Sequence, residues 1–258
     1  MSSIYQHFRP EEKDFIDQVI EWKHLAEDTY APRLTDFLDP RQQMILQSII
    51  GSQGEVQHML FGGSGRCERK RALIYPSYFE PAGSDFQIGL FEIEYPKKFI
   101  HLDHRMVLGS LMSIGLKREK FGDIVLAGDR IQFFLADEVE EFVTLQLTQI
   151  GKAKVTVTKR KLHDAIQSEE TWREIETTVS SLRLDAVLAS VFKLSRQKAQ
   201  GLIQHELVKV NWSTVEQLSF ECGEGDVISA RGFGRCKVLE VGGKTKKDRW
   251  RIMAGILK

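Results

Sequence analysis

Residues 182–238 read LRLDAVLASVFKLSRQKAQGLIQHELVKVNWSTVEQLSFECGEGDVISARGFGRCKV, and this stretch decides the predicted fold of the C-terminal part of the chain. Apolar residues recur at helical spacing over 184–191, which predicts an amphipathic helix. Ser195 is a preferred N-cap residue and introduces a second helix. Residues 208–211 and 226–230 read as short strands. The stretch therefore predicts a small α+β domain.

The start of the second helix departs from the usual charge preference, because Arg196 and Lys198 lie where acidic residues are favoured. A cation beside the positive end of a helix costs roughly a few tenths of a kcal/mol, up to about 1 kcal/mol. Free N–H groups at a helix start bind phosphate, and these two side chains would add positive charge. We therefore expect an anion to dock there. The alternative is that both side chains extend into water.

Residues 231–235 read RGFGR, in which two glycines let a partner's backbone approach closely and two arginines can hold it. Residues 181–258 also contain 14 Lys and Arg against 8 Asp and Glu, a net charge of +6, whereas the rest of this neutral chain carries −6. This asymmetry predicts that the C-terminal part meets a polyanion. The residues predicted to contact this polyanion are Arg183, Ser195, Arg196, Lys198, Lys209, Asn211, Arg231, Gly232 and Arg235.

The motifs R-L-D-x-x-L, S-R-x-x-A-x-x-L-I, V-x-V-N, G-D-x-I and R-G-x-G-R occur here in this order. The arrangement resembles the small RNA-binding domain named after ribosomal small-subunit protein S-four. Glu206 departs from the pattern, because the family usually has glycine at that turn. The resemblance implies that the domain binds structured RNA. The matching positions are Arg183, Leu184, Asp185, Leu188, Ser195, Arg196, Ala199, Leu202, Ile203, Val208, Val210, Asn211, Gly225, Asp226, Ile228, Arg231, Gly232, Gly234 and Arg235.

The composition is that of a folded globular protein of two or three domains, with 258 residues of which 42% are hydrophobic and 28% charged. No apolar run approaches the roughly 20 residues of a membrane span, and the N-terminus lacks a secretion-signal pattern. The cysteines Cys67, Cys222 and Cys236 show no CxxC spacing. We therefore expect a reduced, cytoplasmic chain.

The N-terminal part shows apolar stripes that predict helices over residues 9–31 and 39–50, followed by a strand over 56–61. Residues 62–71 then read GGSGRCERKR. This run lacks the G-K-[ST] ending of a nucleotide-binding loop, so we interpret it as a flexible basic loop that could contact a phosphate.

The middle part alternates between strand and helix patterns in the order β-α-β-β-α-β, which is the ferredoxin-like arrangement. Many RNA-recognition domains share this plait, although the aromatic motif of the commonest one is absent. The basic residues 159–161 could contact a phosphate or form a solvated face. We predict an α+β chain with an N-terminal helical and mixed domain (1–80), a ferredoxin-like domain (81–162), a helical connector (163–180) and an S-four-type RNA-binding domain (181–258).

No motif for catalysis is present, because the sequence lacks GxSxG, HExxH and the dinucleotide-binding fingerprint. His101 and His104 have a spacing that could hold a metal, but no further donors complete a site. We therefore predict no catalytic residue, no metal and no cofactor. An S-adenosylmethionine-dependent RNA methyltransferase that binds its substrate through the C-terminal domain remains the alternative, although the run 62–65 is a poor candidate for its cofactor loop.

A wider resemblance covers essentially the whole chain. The segment F-G-G…E-R-K-R (61–71), the segment D-H-R…L-G-S-L…G-L-K-R-E-K-x-G-D-I (103–124) and the terminal domain together resemble the YlmH family of bacterial proteins. The resemblance implies a non-enzymatic RNA-binding protein of the cytoplasm that contacts large-subunit rRNA and tRNA in the rescue of stalled nascent chains. It also implies a proposed role in cell division, for which the acidic N-terminal part could hold a division protein. We expect a monomer.

Overall fold

In the computed structural model, which describes residues 5, 8, 10–51, 54–167 and 172–257, the chain folds as two units, Met1–Glu169 and Glu170–Lys258. The first position of the predicted helix 9–31 and residues 168–171 of the predicted connector lie outside the described residues. Within the described part of the chain, no helix combines the length and the apolar character needed to cross a bilayer.

The N-terminal part of the first unit packs two helices against one face of a three-stranded sheet. The helices are α1 (Lys13–Thr29) and α2 (Pro40–Ile50), and the antiparallel strands β1 (Arg33–Leu38), β2 (Val56–Phe61) and β3 (Lys70–Pro76) lie in the order β1-β3-β2. Both predicted helices are therefore confirmed.

The capping chemistry of α2 explains where this helix begins. The Asp39 carboxylate accepts a hydrogen bond from the Gln42 backbone N–H at 2.9 Å, and the Gln42 side chain accepts one from the Asp39 N–H at 2.9 Å. This reciprocal pair satisfies two N–H groups that a helix start leaves without partners. Buried residues from α1, α2 and the sheet then form one apolar cluster, which contains Val19, Ala26, Leu38, Leu46, Ile50, Val56, Ala72 and Ile74.

The middle part of the first unit has the predicted β-α-β-β-α-β order. Its elements are β4 (Ile88–Glu94), α3 (His104–Ser113), β5 (Phe121–Ala127), β6 (Arg130–Ala136), α4 (Glu140–Gln146), a small hairpin of β7 (Gln149–Ile150) and β8 (Ala153–Lys154), and β9 (Thr156–Arg160). The antiparallel sheet order β5-β6-β4-β9 places the first and third main strands in the centre. This is the ferredoxin-like topology, so the fold prediction is confirmed.

The two faces of this sheet are both covered, because successive residues of a strand point to opposite sides. Phe91 and Phe133 pack on the side that carries α3 and α4. Leu90 and Phe134 point the other way and share a cluster with Phe37 of the N-terminal sheet. The first unit is therefore layered as helices, sheet, sheet and helices, and the two predicted domains share a core.

The second unit packs two helices on one long antiparallel sheet. The elements are β10 (Trp172–Val179), α5 (Leu184–Val191), α6 (Arg196–Gln204), β11 (Val208–Val210), β12 (Ser213–Thr214), β13 (Val227–Ala230), β14 (Gly234–Lys244) and β15 (Trp250–Leu257). The strand order is β10-β15-β14-β13-β11-β12. The predicted helices and strands of the stretch 182–238 are confirmed.

One expectation about the connector is wrong. Residues 172–179 form strand β10 and not a helix, since all eight residues pair in antiparallel register with β15, from Trp172 opposite Leu257 to Val179 opposite Trp250. The polar residues of this segment suggested a solvated helix, but they belong to a strand with one solvated face.

Candidate nucleic-acid interface

Helices α5 and α6 hold two of the predicted RNA-binding arginines around one buried carboxylate. Asp185 in the first turn of α5 has no exposed surface. Arg183 donates to it from the N-cap position, with Nε 3.2 Å from Oδ1. From α6, Arg196 donates with Nε 3.1 Å from Oδ2, and Gln200 donates at 3.0 Å. The Arg183 and Arg196 side chains nevertheless stay 41% and 52% exposed.

The protonation state of Asp185 follows from these contacts. Burial alone raises the pKa of the carboxyl, but the hydrogen bonds from Arg183, Gln200 and Arg196 outweigh burial and lower the pKa to about 2. Asp185 is therefore ionised at neutral pH, and its one negative charge faces two positive ones. The carboxylate fixes both guanidinium groups in place and leaves the cluster with a net positive charge. Such groups lose less side-chain freedom when they bind a phosphate.

The start of α6 is capped from within. The Ser195 hydroxyl accepts a hydrogen bond from the Lys198 backbone N–H at 3.2 Å, so one of the N–H groups expected to face a phosphate already has a partner. The Lys198 ammonium lies 5.1 Å from the centre of the Phe233 ring, within range of a cation–π contact. The two cations at this helix start thus both have partners in the fold, Asp185 for Arg196 and Phe233 for Lys198. Neither simply extends into water.

The turn between β13 and β14 continues this surface. Arg231 is exposed, and its backbone N–H donates to the Leu207 carbonyl at 2.9 Å. Gly232 and Gly234 have φ of 87° and 104°, which explains why the turn uses glycine. A Cβ at either position would meet nothing within 4 Å, so the turn faces open space.

The outer face of the sheet carries the next two predicted residues. Lys209 of β11 lies opposite Ser229 of β13, and Ser229 lies opposite Arg235 of β14. Directly opposed residues point to the same side of a sheet, so Lys209 and Arg235 share one face. The Arg235 guanidinium carbon lies 6.0 Å from the centre of the Trp212 ring.

Asn211 has an internal role. Its side-chain amide donates to Asp226 at 2.8 Å, and its side-chain oxygen accepts from the Val227 N–H at 2.9 Å. These bonds tie the β11–β12 turn to the start of β13. A direct contact between Asn211 and RNA remains a prediction.

Glu206 keeps the turn geometry that glycine usually provides. Its φ is 57°, which lies in the left-handed region, and its side chain is exposed. The departure at this position therefore changes the charge of the turn and not its backbone conformation.

We use the name RNA-contact surface for Arg183, Arg196, Lys198, Lys209, Arg231 and Arg235. Asp185, Phe233 and Trp212 contact cations of this surface, and Gln200 donates to Asp185. None of these four residues was among the predicted site residues. The R-L-D motif could have indicated Asp185, because a charged residue in an otherwise apolar helix needs a partner. Trp212 and Phe233 gave no comparable signal in the sequence.

The basic run after β2 does not form the flexible loop that we expected. Gly62 and Gly63 are buried, and a Cβ on them would lie 2.4 Å from Cys67 and from Phe134, respectively. Arg71 is 4% exposed, and its guanidinium donates to the Thr35 carbonyl at 2.7 Å.

Further contacts hold Arg69 and Arg71 of this run inside the first unit. Arg71 also donates to the Gln87 carbonyl at 3.0 Å and to Glu138 at 3.1 Å. Arg69 donates to the Phe37 carbonyl at 2.8 Å. These two arginines turn inward and hold the two sheets together, so the predicted phosphate contact is wrong for them.

The second basic run, residues 159–161, is largely paired. Arg160 donates to the buried Glu92 at 3.2 Å and to Glu94 at 3.0 Å, and Lys159 bonds Glu140. Hydrogen bonds from Arg130, Gln132 and Arg160 outweigh burial and lower the pKa of Glu92 to about 2. The side chains of Lys159 and Arg160 are therefore both paired with carboxylates of the first unit.

The features that would support an enzyme are weak. Across the described ranges, no three His, Cys, Asp or Glu side chains converge in a way that could hold a metal ion. The run 62–65, which was the candidate cofactor loop of a methyltransferase, leads into strand β3 and not into a helix. Its two buried glycines serve internal packing.

Comparison with known proteins gives a consistent result along the chain. Residues 11–79 match the family model "YlmH, N-terminal", residues 81–164 match "Putative RNA-binding domain in YlmH", and residues 182–228 match "S4 domain". A protein of Bacillus subtilis (strain 168) named ribosome-associated protein quality control protein P2 is 50% identical over 252 residues, which cover 98% of both chains. A solved structure, cell division protein ylmH from Streptococcus pneumoniae, has a TM-score of 0.55 and 35% identity, and the match covers 63% of this chain and 99% of that one.

Proposed function

The chain belongs to the YlmH family, and from this premise we propose that it binds structured RNA of the large ribosomal subunit, and tRNA, in the rescue of stalled translation. It acts by binding and not by catalysis, as a cytoplasmic monomer without a cofactor. The name of the Bacillus subtilis relative supports the link to ribosome-associated quality control. The match to an S4 domain supports RNA as the ligand.

The single observation that carries the proposal is the arrangement around Asp185. Arg183 and Arg196 come from two different helices, yet one buried carboxylate fixes both of them and leaves about half of each side chain exposed. A purely structural ion pair needs only one arginine for one carboxylate. The second arginine leaves an uncompensated positive charge at the surface, which is what a phosphate backbone requires.

In the first unit, we propose that RNA does not bind the face of the ferredoxin-like sheet that lies opposite helices α3 and α4. RNA-recognition modules of this topology stack bases on that face. Here Leu90 and Phe134 on that face are buried against Phe37 and other residues of the N-terminal sheet. The face is therefore used for internal packing.

A different part of the middle domain has the character of an RNA contact. The loop of residues 95–103 between β4 and α3 carries Phe99, which is 87% exposed, directly after the exposed Lys97 and Lys98. The Lys97 ammonium lies 5.9 Å from the centre of the Tyr95 ring. An exposed aromatic ring among cations can stack on a base while the cations meet its phosphates. We assign the RNA contact of the middle domain to this loop.

A role in cell division is the second candidate. The Streptococcus pneumoniae relative is named a cell division protein, which favours this role, and residues 1–180 carry a net charge of −6 that suits a basic protein partner. A partner that stays bound after nuclease treatment would favour this adaptor role over RNA binding.

The methyltransferase alternative has no support in the comparisons. Calorimetric titration of the purified chain with S-adenosylmethionine tests this alternative. A methyltransferase binds this cofactor and releases a saturable heat of binding, whereas an RNA-binding protein without a cofactor site does not.

The test of the main proposal is the affinity of the wild type and of the Arg196→Ala variant for a large-subunit rRNA fragment over a range of salt concentrations. We expect weaker binding and a flatter salt dependence for the variant. Unchanged affinity and an unchanged salt dependence would overturn the site.

A further inference from the structure

The turn between β11 and β12 has an unusual residue in a restricted backbone conformation. Asn211 and Trp212 are the two central residues of a hairpin in which Val210 lies opposite Ser213. Their φ angles are 48° and 65°, so both lie in the left-handed region. This is the pattern of a type I′ turn, for which Asn followed by Gly is strongly preferred.

Asparagine adopts this conformation readily, whereas tryptophan adopts it only at an energetic cost. A side chain with a Cβ crowds the following carbonyl in the left-handed region, and a bulky residue there is a genuine outlier. Backbone conformations of this kind persist where the residue has another use. Glycine at position 212 would relieve the conflict, so the presence of Trp212 calls for a reason.

The packing of the second unit does not provide that reason. Partly buried hydrophobic residues that pack against the core of this unit include Trp250 and Phe233, but Trp212 is not one of them among the described residues. Its ring is partly exposed and lies next to the Arg235 guanidinium, at 6.0 Å from ring centre to guanidinium carbon. Trp212 is therefore half-buried outside the core cluster of the unit, beside a cation.

The surroundings of this ring suit a nucleotide. Arg235 shares the outer face of the sheet with Lys209, and the Trp212 ring lies beside Arg235, so two cations and an aromatic ring lie in one region of the second unit. An aromatic ring stacks on any base because every base has a π-face, and the adjacent cations meet the phosphates.

We propose that Trp212 is a stacking platform for an unpaired base of the bound RNA. Arg235 positions the indole ring, and Lys209 lies close to the phosphates of the bound RNA. This inference rests on the proposed function, because it assumes that the second unit binds RNA. It adds a class of ligand that phosphate contacts alone do not select, namely RNA with an unstacked base in a loop or bulge.

The experiment compares the full-length wild type with Trp212→Gly in binding two RNA probes, a hairpin with an unpaired loop and a fully paired duplex with the same number of phosphates. We expect the variant to bind the hairpin about tenfold more weakly, which corresponds to the loss of one stacked base. Its binding to the duplex should change less than about twofold. The Trp212→Phe variant should keep most of the hairpin affinity, because it keeps an aromatic face.

Thermal unfolding separates this result from a folding defect. Because glycine fits the type I′ turn, we expect the melting temperature of the second unit in Trp212→Gly to rise by roughly 2–5 °C. Hairpin RNA should also quench tryptophan fluorescence in the wild type, and this quench should be lost in the variant although the other tryptophans remain.

The outcomes are distinct. If the wild type binds neither RNA, the proposed function fails and the stacking proposal fails with it. If the wild type binds the hairpin and Trp212→Gly binds it equally well, only the stacking proposal is overturned. A variant that loses stability and affinity together would make Trp212 a structural residue and would also overturn it. So would unchanged RNA binding with loss of association to ribosomal subunits, which would make the ring a protein contact.

Discussion

The guanidinium of Arg196 at the start of α6 donates to the carboxylate of Asp185 in α5, with Nε 3.1 Å from Oδ2. This bond joins the two helices of the second unit and sets the direction of a side chain that is 52% exposed. Arg183 makes the equivalent bond from the other side. The buried acid therefore organises the most basic corner of the RNA-contact surface.

Removal of this acid tests whether position or charge matters more. The Asp185→Asn substitution removes one negative charge and so raises the net charge of the second unit by one. Simple electrostatics therefore predicts tighter RNA binding. We expect weaker binding, because Arg183 and Arg196 lose their fixed positions. We also expect a loss of stability of about 1–2 kcal/mol, since both arginines are partly solvated. Filter binding and thermal unfolding measure the two effects, and tighter binding by the variant would contradict the positioning role.

The pH dependence of stability should show the same carboxylate. The pKa of Asp185 lies at about 2, below its ordinary value of 3.8. A folded-state pKa that is lowered adds stability above the unfolded value, and this stability is lost as pH falls through the folded value. The difference in melting temperature between the wild type and Asp185→Asn should therefore narrow between pH 5 and pH 2. Glu92 of the first unit has a similar pKa, but it is present in both proteins, so its contribution to the pH dependence cancels in the difference between them. A difference that is constant with pH would be inconsistent with this account.

The Arg196→Ala variant should change the salt dependence of RNA binding. Removal of one phosphate contact lowers the slope of log K against log salt by about 0.7–0.9. We expect a change of about this size for Arg196→Ala. The matched control is Arg173→Ala, which removes the same charge from exposed strand β10 of the same unit. Equal effects of the two variants would mean that net charge, and not this site, governs binding.

The loop of residues 95–103 gives a prediction for the first unit. The double variant Lys97→Glu/Lys98→Glu should weaken RNA binding, and Phe99→Ser should weaken it without changing the salt slope, because stacking neutralises no phosphate. The charge-matched control is Lys13→Glu/Lys23→Glu on α1. Gel-shift titrations at two salt concentrations provide the comparison. If the control pair weakens binding as much, the loop does not bind the RNA.

Arg71 should be required for stability and not for RNA binding. Its guanidinium donates to the Thr35 and Gln87 carbonyls and to Glu138. The single ammonium group of a lysine cannot reach these acceptors at the same time, because it lacks the planar guanidinium with its several N–H donors. We expect Arg71→Lys to lower the stability of the first unit by about 1–3 kcal/mol, because buried acceptors lose their donors. RNA affinity at a temperature where the variant is folded should stay within about twofold of the wild type. A large loss of affinity there would restore Arg71 as a phosphate contact.

Local signals in the sequence predicted much of this structure. Ser195 was predicted as an N-cap residue, and its side chain accepts the expected backbone hydrogen bond. Asp39 and Asp103 cap their helices in the same way. The apolar strand patterns also predicted the ferredoxin-like strands, since a half-buried strand alternates apolar and polar residues and a fully buried strand is a short apolar run. These features depend on residues that are close together in the chain.

Features that depend on distant partners were not predictable in the same way. The segment 172–179 is a strand because its partner is β15, about 80 residues later, and its own composition is polar. Arg71 is charged, but its partners Thr35 and Glu138 are separated from it by many residues. Charge alone therefore indicated a phosphate contact where the fold places a buried donor. For Arg196, the role in RNA binding stays a prediction, and its bond to Asp185 was not predicted.

The shared core of the two sheets has a consequence for synthesis of the chain. Phe37 belongs to a strand that leaves the ribosome early, whereas Phe134, which covers it, is translated almost a hundred residues later. Until then, the apolar side of the N-terminal sheet has no cover, and such surfaces aggregate. A nascent chain arrested between these two points would expose this surface, so the first unit cannot mature stepwise and must wait for β6 to emerge.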